Sequence, residues 1–251
     1  MHLADPGFAD DLHDVRQRAA TSGVDEVLVV ATDLPTSVRA IAMSHDVAGW
    51  YATVGVHPHD CAGFDTTTVA ALRELAGNSC VRAIGESGLD FYRDHQPRAL
   101  QERAFRAHCR LAADLDLPIV VHQRDSLDAV ERVLREELGA AGGVMHSFTG
   151  PPASVPRFVD LGMHISISGI VTFKRADEVR ATAAAVPEDR LLIETDAPYL
   201  APTPMRGRRN EPAYLAHTAA EVASVRNVSV SSLRATTTRN ARELFRCAPT
   251  P

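Results

Sequence analysis

The chain has 251 residues, of which 45% are hydrophobic and 23% charged, and it carries a formal net charge of −6. That composition is enough for a sizeable core, and it excludes both a disordered chain and a protein held to nucleic acid by bulk positive charge. No apolar run reaches the roughly 18 residues a membrane helix needs, and no charged-then-apolar leader opens the chain, so a cytoplasmic protein is expected.

In chain order, short β-branched runs at 24–32, 50–57, 80–86, 118–122, 143–148, 163–170 and 191–196 read as strands. They are nearly continuous in hydrophobicity, as parallel strands buried on both faces are. Helical segments fall between them, near 8–22, 36–47, 66–77, 97–116, 126–138, 152–161 and 175–185, followed by 211–225 and 231–245. Leu100, Ala104, Ala107 and Leu111 have the spacing of one buried helix face, and Thr36 and Ser126 are candidate caps. Strand-then-helix units without a repeat or linker point to one α/β domain over 1–251. No G-x-G-x-x-G follows the first strand, so an eight-stranded (β/α)8 TIM barrel is favoured over a doubly wound sheet. Such a barrel needs one strand more than is found, and that strand is expected ahead of Met1.

His57, Glu86, His122, His146 and Asp196 each end an apolar run. In a barrel these ends converge on the mouth where active sites are built. Imidazole and carboxylate without cysteine suit zinc, manganese or magnesium. Cys61, Cys80, Cys109 and Cys247 form no C-x-x-C pair, so they are expected to be reduced thiols. The only lysine, Lys174, lies in a loop after a late strand, which disfavours a carboxylated lysine as a metal bridge and leaves Glu86 for that role. Arg124, two residues past His122, could meet a phosphate with its fork of donors or form a surface pair with Asp125 or Asp128. Arg209 and Asn210 lie in the last loop, where barrels often hold phosphate, though Asn210 and Glu211 could equally cap the helix near Pro212. His57 and His59 flank Pro58 and could contact phosphate or shape a loop. His13, His45, His95, His108, His164 and His217 are given no role.

The strings GVHPHD (55–60), AIGESGLDFYRD (83–94), PIVVHQRD (118–125), MHSFTG (145–150), ETDAPYLAP (194–202) and RGRRNEP (206–212) resemble the TatD family of metal-dependent deoxyribonucleases, in order and spacing along the whole chain. The resemblance implies a divalent metal pair and hydrolysis of DNA phosphodiesters. Carried over, it implies Glu86 as bridging ligand, with His2, His122, His146 and Asp196 completing the set. His2 and Asp196 would hold one cation, and His122 and His146 the other. Met1-His2-Leu3 matches only the second half of the family's opening H-x-H-L. Glu86 and Asp196 are the expected catalytic carboxylates, Asp196 accepting a proton from the attacking water; His57, Arg124, Arg209 and Asn210 are the expected substrate contacts. DNA is the expected partner of a monomer that needs no organic cofactor. Two alternatives stay open: a barrel hydrolase of a small ester, amide or phosphoester, and a metal-depleted relic.

Overall fold

The computed structural model describes residues 1–45 and 47–247. Position 46, inside the helix expected over 36–47, and positions 248–251, at the end of the expected domain, lie outside the described residues. Among the described residues, seven strands form one parallel sheet in sequential order: β1 (Val27–Val29), β2 (Trp50–Val54), β3 (Val81–Asp90), β4 (Ile119–Arg124), β5 (Gly143–Met145), β6 (Met163–Ile167) and β7 (Leu191–Ile193). The sheet curls into a half-barrel of the expected TIM-barrel type, one strand short of the eight that close such a barrel. Its helices are α1 (Leu12–Thr21), α2 (Leu34–Ser44), α3 (Thr66–Ala76), α4 (Arg98–Leu115), α5 (Leu127–Glu137), α6 (Val155–Val159), α7 (Asp177–Ala185), α8 (Leu215–Val225) and α9 (Val230–Phe245). None among the described residues is long and apolar enough to cross a membrane.

Local chemistry sets the boundaries. Asp33 and Asp65, not Thr36, are the N-caps of α2 and α3; each accepts from the backbone N–H three residues on, while Thr36 and Thr68 reciprocate. Such boxes stabilise a helix start by about 1 kcal/mol. Ser126 precedes α5, but its hydroxyl donates instead to Leu89 O at 2.7 Å, tying that helix to β3. On α4 the buried stripe includes Ala104, Phe105, His108, Cys109 and Leu111, whereas Leu100 and Ala107 are only half-buried.

The main core lies between sheet and helices, and a second, smaller cluster lies on the sheet's other face, where Ala83, Val120, Val144 and Leu192 meet Leu244 and Phe245 of α9. Alternation along each strand sends successive residues to these two cores.

β1 and β7 do not pair with each other. At the mouth end of this seam, Met1 donates to Leu28 O at 3.4 Å and accepts from Val30 N at 2.8 Å, the pattern of one parallel rung beside Val29. His2 N then donates to Ala197 O at 2.7 Å on the far side. Below this rung a cavity of about 770 Å³ opens between the edges, lined by Leu28, Val120, Val144, Leu192 and Phe245 among others. The unpaired edges expected from the strand count are present along this seam.

Candidate metal centre

Glu86 owes its position to a fault in strand pairing. From Ile84 to Ser87, β3 advances three residues while β4 advances two, from Ile119 to Val121. The extra residue bends the strand and re-aims its side chains. Glu86 N donates to Ala31 O at 2.9 Å, and its carboxylate is buried at the mouth. β3 then continues to Asp90, past the end at 86 that the apolar run suggested. Gly88 permits this: a Cβ there would lie 1.9 Å from His122 O.

Four histidines surround that carboxylate. His122 Nδ1 lies 3.0 Å from Glu86 Oε1, with His57 Nε2 at 3.7 Å and His146 Nε2 at 3.8 Å from the same oxygen. His2 Nε2 lies 3.3 Å from Oε2 and 3.4 Å from Asp196 Oδ1, which is 3.2 Å from His146 Nε2. Two groupings with metal-ligand spacing therefore share Glu86: His2 with His146, and His57 with His122. His146, Glu194 and Asp196 form a third. His146 thus lies between the two sides, its Nε2 3.2 Å from Asp196 Oδ1 and 3.8 Å from the Glu86 oxygen that His122 also faces.

Outer contacts set which ring nitrogen faces inward. His2 Nδ1 donates to Val30 O at 3.1 Å, leaving Nε2 toward Glu86 and Asp196. His146 Nδ1 is 2.9 Å from Glu194 Oε1, leaving its Nε2 inward. His122 Nε2 is 3.1 Å from Asp90 Oδ2, leaving Nδ1 toward Glu86. Partners of this kind hold metal-ligating imidazoles in other proteins. His57 differs. Its Nδ1 accepts the His59 N–H at 3.2 Å, so in the neutral ring Nε2 carries the proton. That tautomer suits a hydrogen-bond donor more than a ligand.

The electrostatics follow from burial and crowding. Burial alone would raise the Glu86 pKa, but His146, His122, His57 and His2 hold it well below the usual carboxylate range. His146 is pushed down by burial yet held well above its ordinary value by Glu194, Glu86 and Asp196. His122 is raised likewise by Asp90 and Glu86 against burial, and His57 is lowered by burial and by His122. Glu86 Oε2 is buried without a hydrogen-bond donor, His2 standing outside bonding geometry. A carboxylate oxygen without a donor, facing imidazole nitrogens freed by their outer partners, is a fitting donor set for a divalent cation. Cation binding would compete with protons for the imidazoles of His146 and His122.

Arg124 reaches the mouth with its guanidinium carbon 3.8 Å from the centre of the Tyr92 ring, and it forms no ion pair among the described residues. Asp128 pairs with Arg157 instead. The structure does not bring Arg209 and Asn210 to the cluster. Arg209 is bound to Asp11 at 2.6 Å and lies over Phe8. Asn210 is buried, donating to Thr195 O and to Tyr199 O, and so braces the loop after β7.

Sequence reading missed Asp90 and Glu194. Asp90 was open to the period of two along a strand, which puts 86 and 90 on one face, whereas Glu194 lies just past β7, where that period no longer applies. Asp90 Oδ2 meets His122 and His59, its Oδ1 accepts Tyr92 N at 3.0 Å and Arg93 N at 2.8 Å, and Gln101 clamps its backbone.

Histidines and carboxylates gathered at the C-terminal mouth of a parallel barrel, with no serine or cysteine nucleophile among them, define a metal-dependent hydrolase. The sequence profile described as TatD related DNase matches residues 1–246, and the chain belongs to that family. It is 38% identical over 246 residues to the Bacillus subtilis metal-dependent hydrolase YabD, covering 98% of this chain and 96% of that one. It is 41% identical over 251 residues to the 3′-5′ ssDNA/RNA exonuclease TatD of Klebsiella pneumoniae, covering 98% and 95%. Among solved structures it resembles the Escherichia coli TatD homologue YJJV with a TM-score of 0.93 at 30% identity, covering 99% and 96%.

Proposed function

We propose that this chain is a divalent-metal-dependent nuclease of exonuclease type that hydrolyses DNA phosphodiester bonds with an activated water. The observation that carries the reading is Glu86: one buried carboxylate shared by two histidine groups, with an oxygen that no protein donor satisfies. The name of the Klebsiella relative supports the choice of substrate.

Divalent cations, two in this reading and drawn from Mg²⁺, Mn²⁺ or Zn²⁺, would supply there the charge needed to acidify a water and polarise a phosphoryl group. The chain's own residues do the rest. Glu86, His2, His146, Asp196 and His122 hold the cations. Asp196, kept ionised by His146 and His2 despite burial, accepts the proton of the attacking water. His57, neutral and protonated at Nε2, donates a hydrogen bond to a phosphoryl oxygen, and Arg124 offers its fork to the next phosphate. All these groups come from one chain, so a monomer suffices and no organic cofactor is called for. The free thiols of Cys61, Cys80, Cys109 and Cys247 fit a cytoplasmic enzyme.

The test pairs metal analysis with turnover of a labelled oligonucleotide in Mg²⁺, Mn²⁺ and Zn²⁺. Glu86→Gln should lose both cations and at least ~100-fold in rate while keeping its fold, since it removes a shared ligand rather than an outer contact. Retained turnover would sink the bridging role. Wild-type hydrolysis of small phosphoesters without any oligonucleotide cleavage would overturn the nuclease reading.

A further inference from the structure

Among the described residues, the large apolar side chains left exposed are Val38, Tyr92, Tyr199, Val228 and Val230. The two aromatic ones both stand at the barrel mouth. Tyr92 follows β3 and is 59% exposed; Tyr199 follows β7 and is 57% exposed. Each is pinned through its backbone to a carboxylate residue of the mouth. Tyr92 N donates to Asp90 Oδ1 at 3.0 Å, and Tyr199 N donates to Asp196 O at 2.8 Å. The Tyr199 ring centre lies 6.3 Å from that of His2, whereas Tyr92 rises on the β3–β4 side, so the two rings flank the metal-ligating residues. Neither hydroxyl has a hydrogen-bond partner among the described residues, so nothing polar explains why either ring faces water.

Two flat, exposed, backbone-anchored rings beside a hydrolytic centre match a known recognition chemistry. Unpaired bases stack on aromatic faces, and a cation stacked behind the ring strengthens the platform. Arg124 covers one face of Tyr92 at 3.8 Å. The guanidinium thereby holds the ring in place and puts positive charge where the backbone of a strand would run. Bases paired in a duplex present only their terminal face, so such a platform selects single strands.

We infer that Tyr92, backed by Arg124, and Tyr199 are stacking platforms that grip unpaired bases of single-stranded nucleic acid on either side of the centre. The inference rests on the nuclease reading and adds which residues set strand preference. Neither tyrosine touches the reacting phosphate. Both act on binding, so their loss raises KM and leaves kcat nearly unchanged.

The experiment measures anisotropy of a fluorescein-labelled single-stranded decanucleotide, the same strand in a duplex, and a strand with abasic residues, on intact protein in EDTA and in Ca²⁺. Steady-state cleavage of the first substrate in Mn²⁺ is measured alongside. Tyr92→Ala and Tyr199→Ala should each weaken single-strand binding roughly tenfold, within the range of base–aromatic stacking. Tyr92→Phe and Tyr199→Phe should restore it, because the ring and not the hydroxyl carries the effect. The abasic strand should bind wild type and the alanine variants alike. Alanine variants with wild-type Kd and KM on the intact strand, or with the same loss on the abasic strand, would overturn the stacking assignment while the nuclease reading stands. Wild-type protein that neither binds nor cuts any of the oligonucleotides would defeat the nuclease reading itself.

Discussion

His108 sits on α4 in the core, and its two ring nitrogens have opposite duties. Nδ1 donates to Ala104 O at 2.7 Å, and Nε2 accepts the Val56 N–H at 3.0 Å. Only the neutral ring can do both. Burial accordingly pulls its pKa from 6.5 down to about 4. Between those values the unfolded chain binds a proton that the folded chain refuses, so stability falls as the pH drops through this window and is unaffected above it. A separation of about 2.5 pH units corresponds to about 3.4 kcal/mol when complete, of which about 3 kcal/mol is reached by pH 4. Urea unfolding of wild type and His108→Gln at several pH values from 7.5 to 4, in EDTA to remove metal linkage, isolates the effect. Groups common to both proteins cancel in the difference. Wild type should lose about 3 kcal/mol more than the variant over this range. Parallel profiles would refute a buried neutral His108. Because Val56 precedes His57, the same bond fixes the strand end that carries a mouth histidine.

Asp90→Asn should reduce divalent-metal affinity by about 10- to 100-fold with little change in melting temperature, because an amide must turn its NH₂ toward either two imidazoles or two backbone N–H groups. Calorimetric titration showing unchanged affinity would remove Asp90 from the positioning of His122. An apolar five- or six-residue strand joined ahead of Met1 should fill the seam between β1 and β7. Side-chain burial minus ordering cost leaves about 2–3 kcal/mol, or roughly 5–10 °C in melting temperature. A Gly-Ser segment of equal length should give no rise, and equal melting of the two extended proteins would show that the seam does not accept a strand.

Parallel strands wrapped by helices betray themselves by short β-branched runs, so β1 to β7 were legible, as was the convergence of their ends. The runs overstate strand length because buried loops at a barrel mouth are as apolar as the strands; β1 occupies Val27–Val29 of an apolar stretch reaching residue 32. β3 was understated for the opposite reason, since Gly85, Ser87, Gly88 and Asp90 look like a turn. Glycine is there because β4 passes so close, and that contact is invisible in one dimension. Glu86, His122, His146 and Asp196 stood out as candidates because each ends an apolar run, whereas His2 came only from the resemblance to the family's opening H-x-H-L. The tautomers were not legible, because Val30 O, Asp90 and Glu194 reach those rings only through the fold. Arg209 and Asn210 misled because loop position says nothing of direction: Asp11 and the carbonyls of Thr195 and Tyr199 turn them away.

The seam and the metal centre meet in two consecutive residues. Met1 makes the single rung beside Val29, and His2 binds Ala197 O through its backbone while its ring faces Glu86 and Asp196. Asp196 itself follows β7, so a cation held by His2 and Asp196 would tie the two edges of an open barrel across the gap. Binding to the closed mouth then stabilises the fold by RT ln(1 + [M]/Kd), about 2.7 kcal/mol at a hundredfold excess over Kd. The linkage would be reciprocal: ordering the seam would pre-place His2 and raise metal affinity, and loosening it would lower that affinity. A cation held there would therefore also clasp the edge, and we expect metal binding and closure of the mouth to be coupled in this chain.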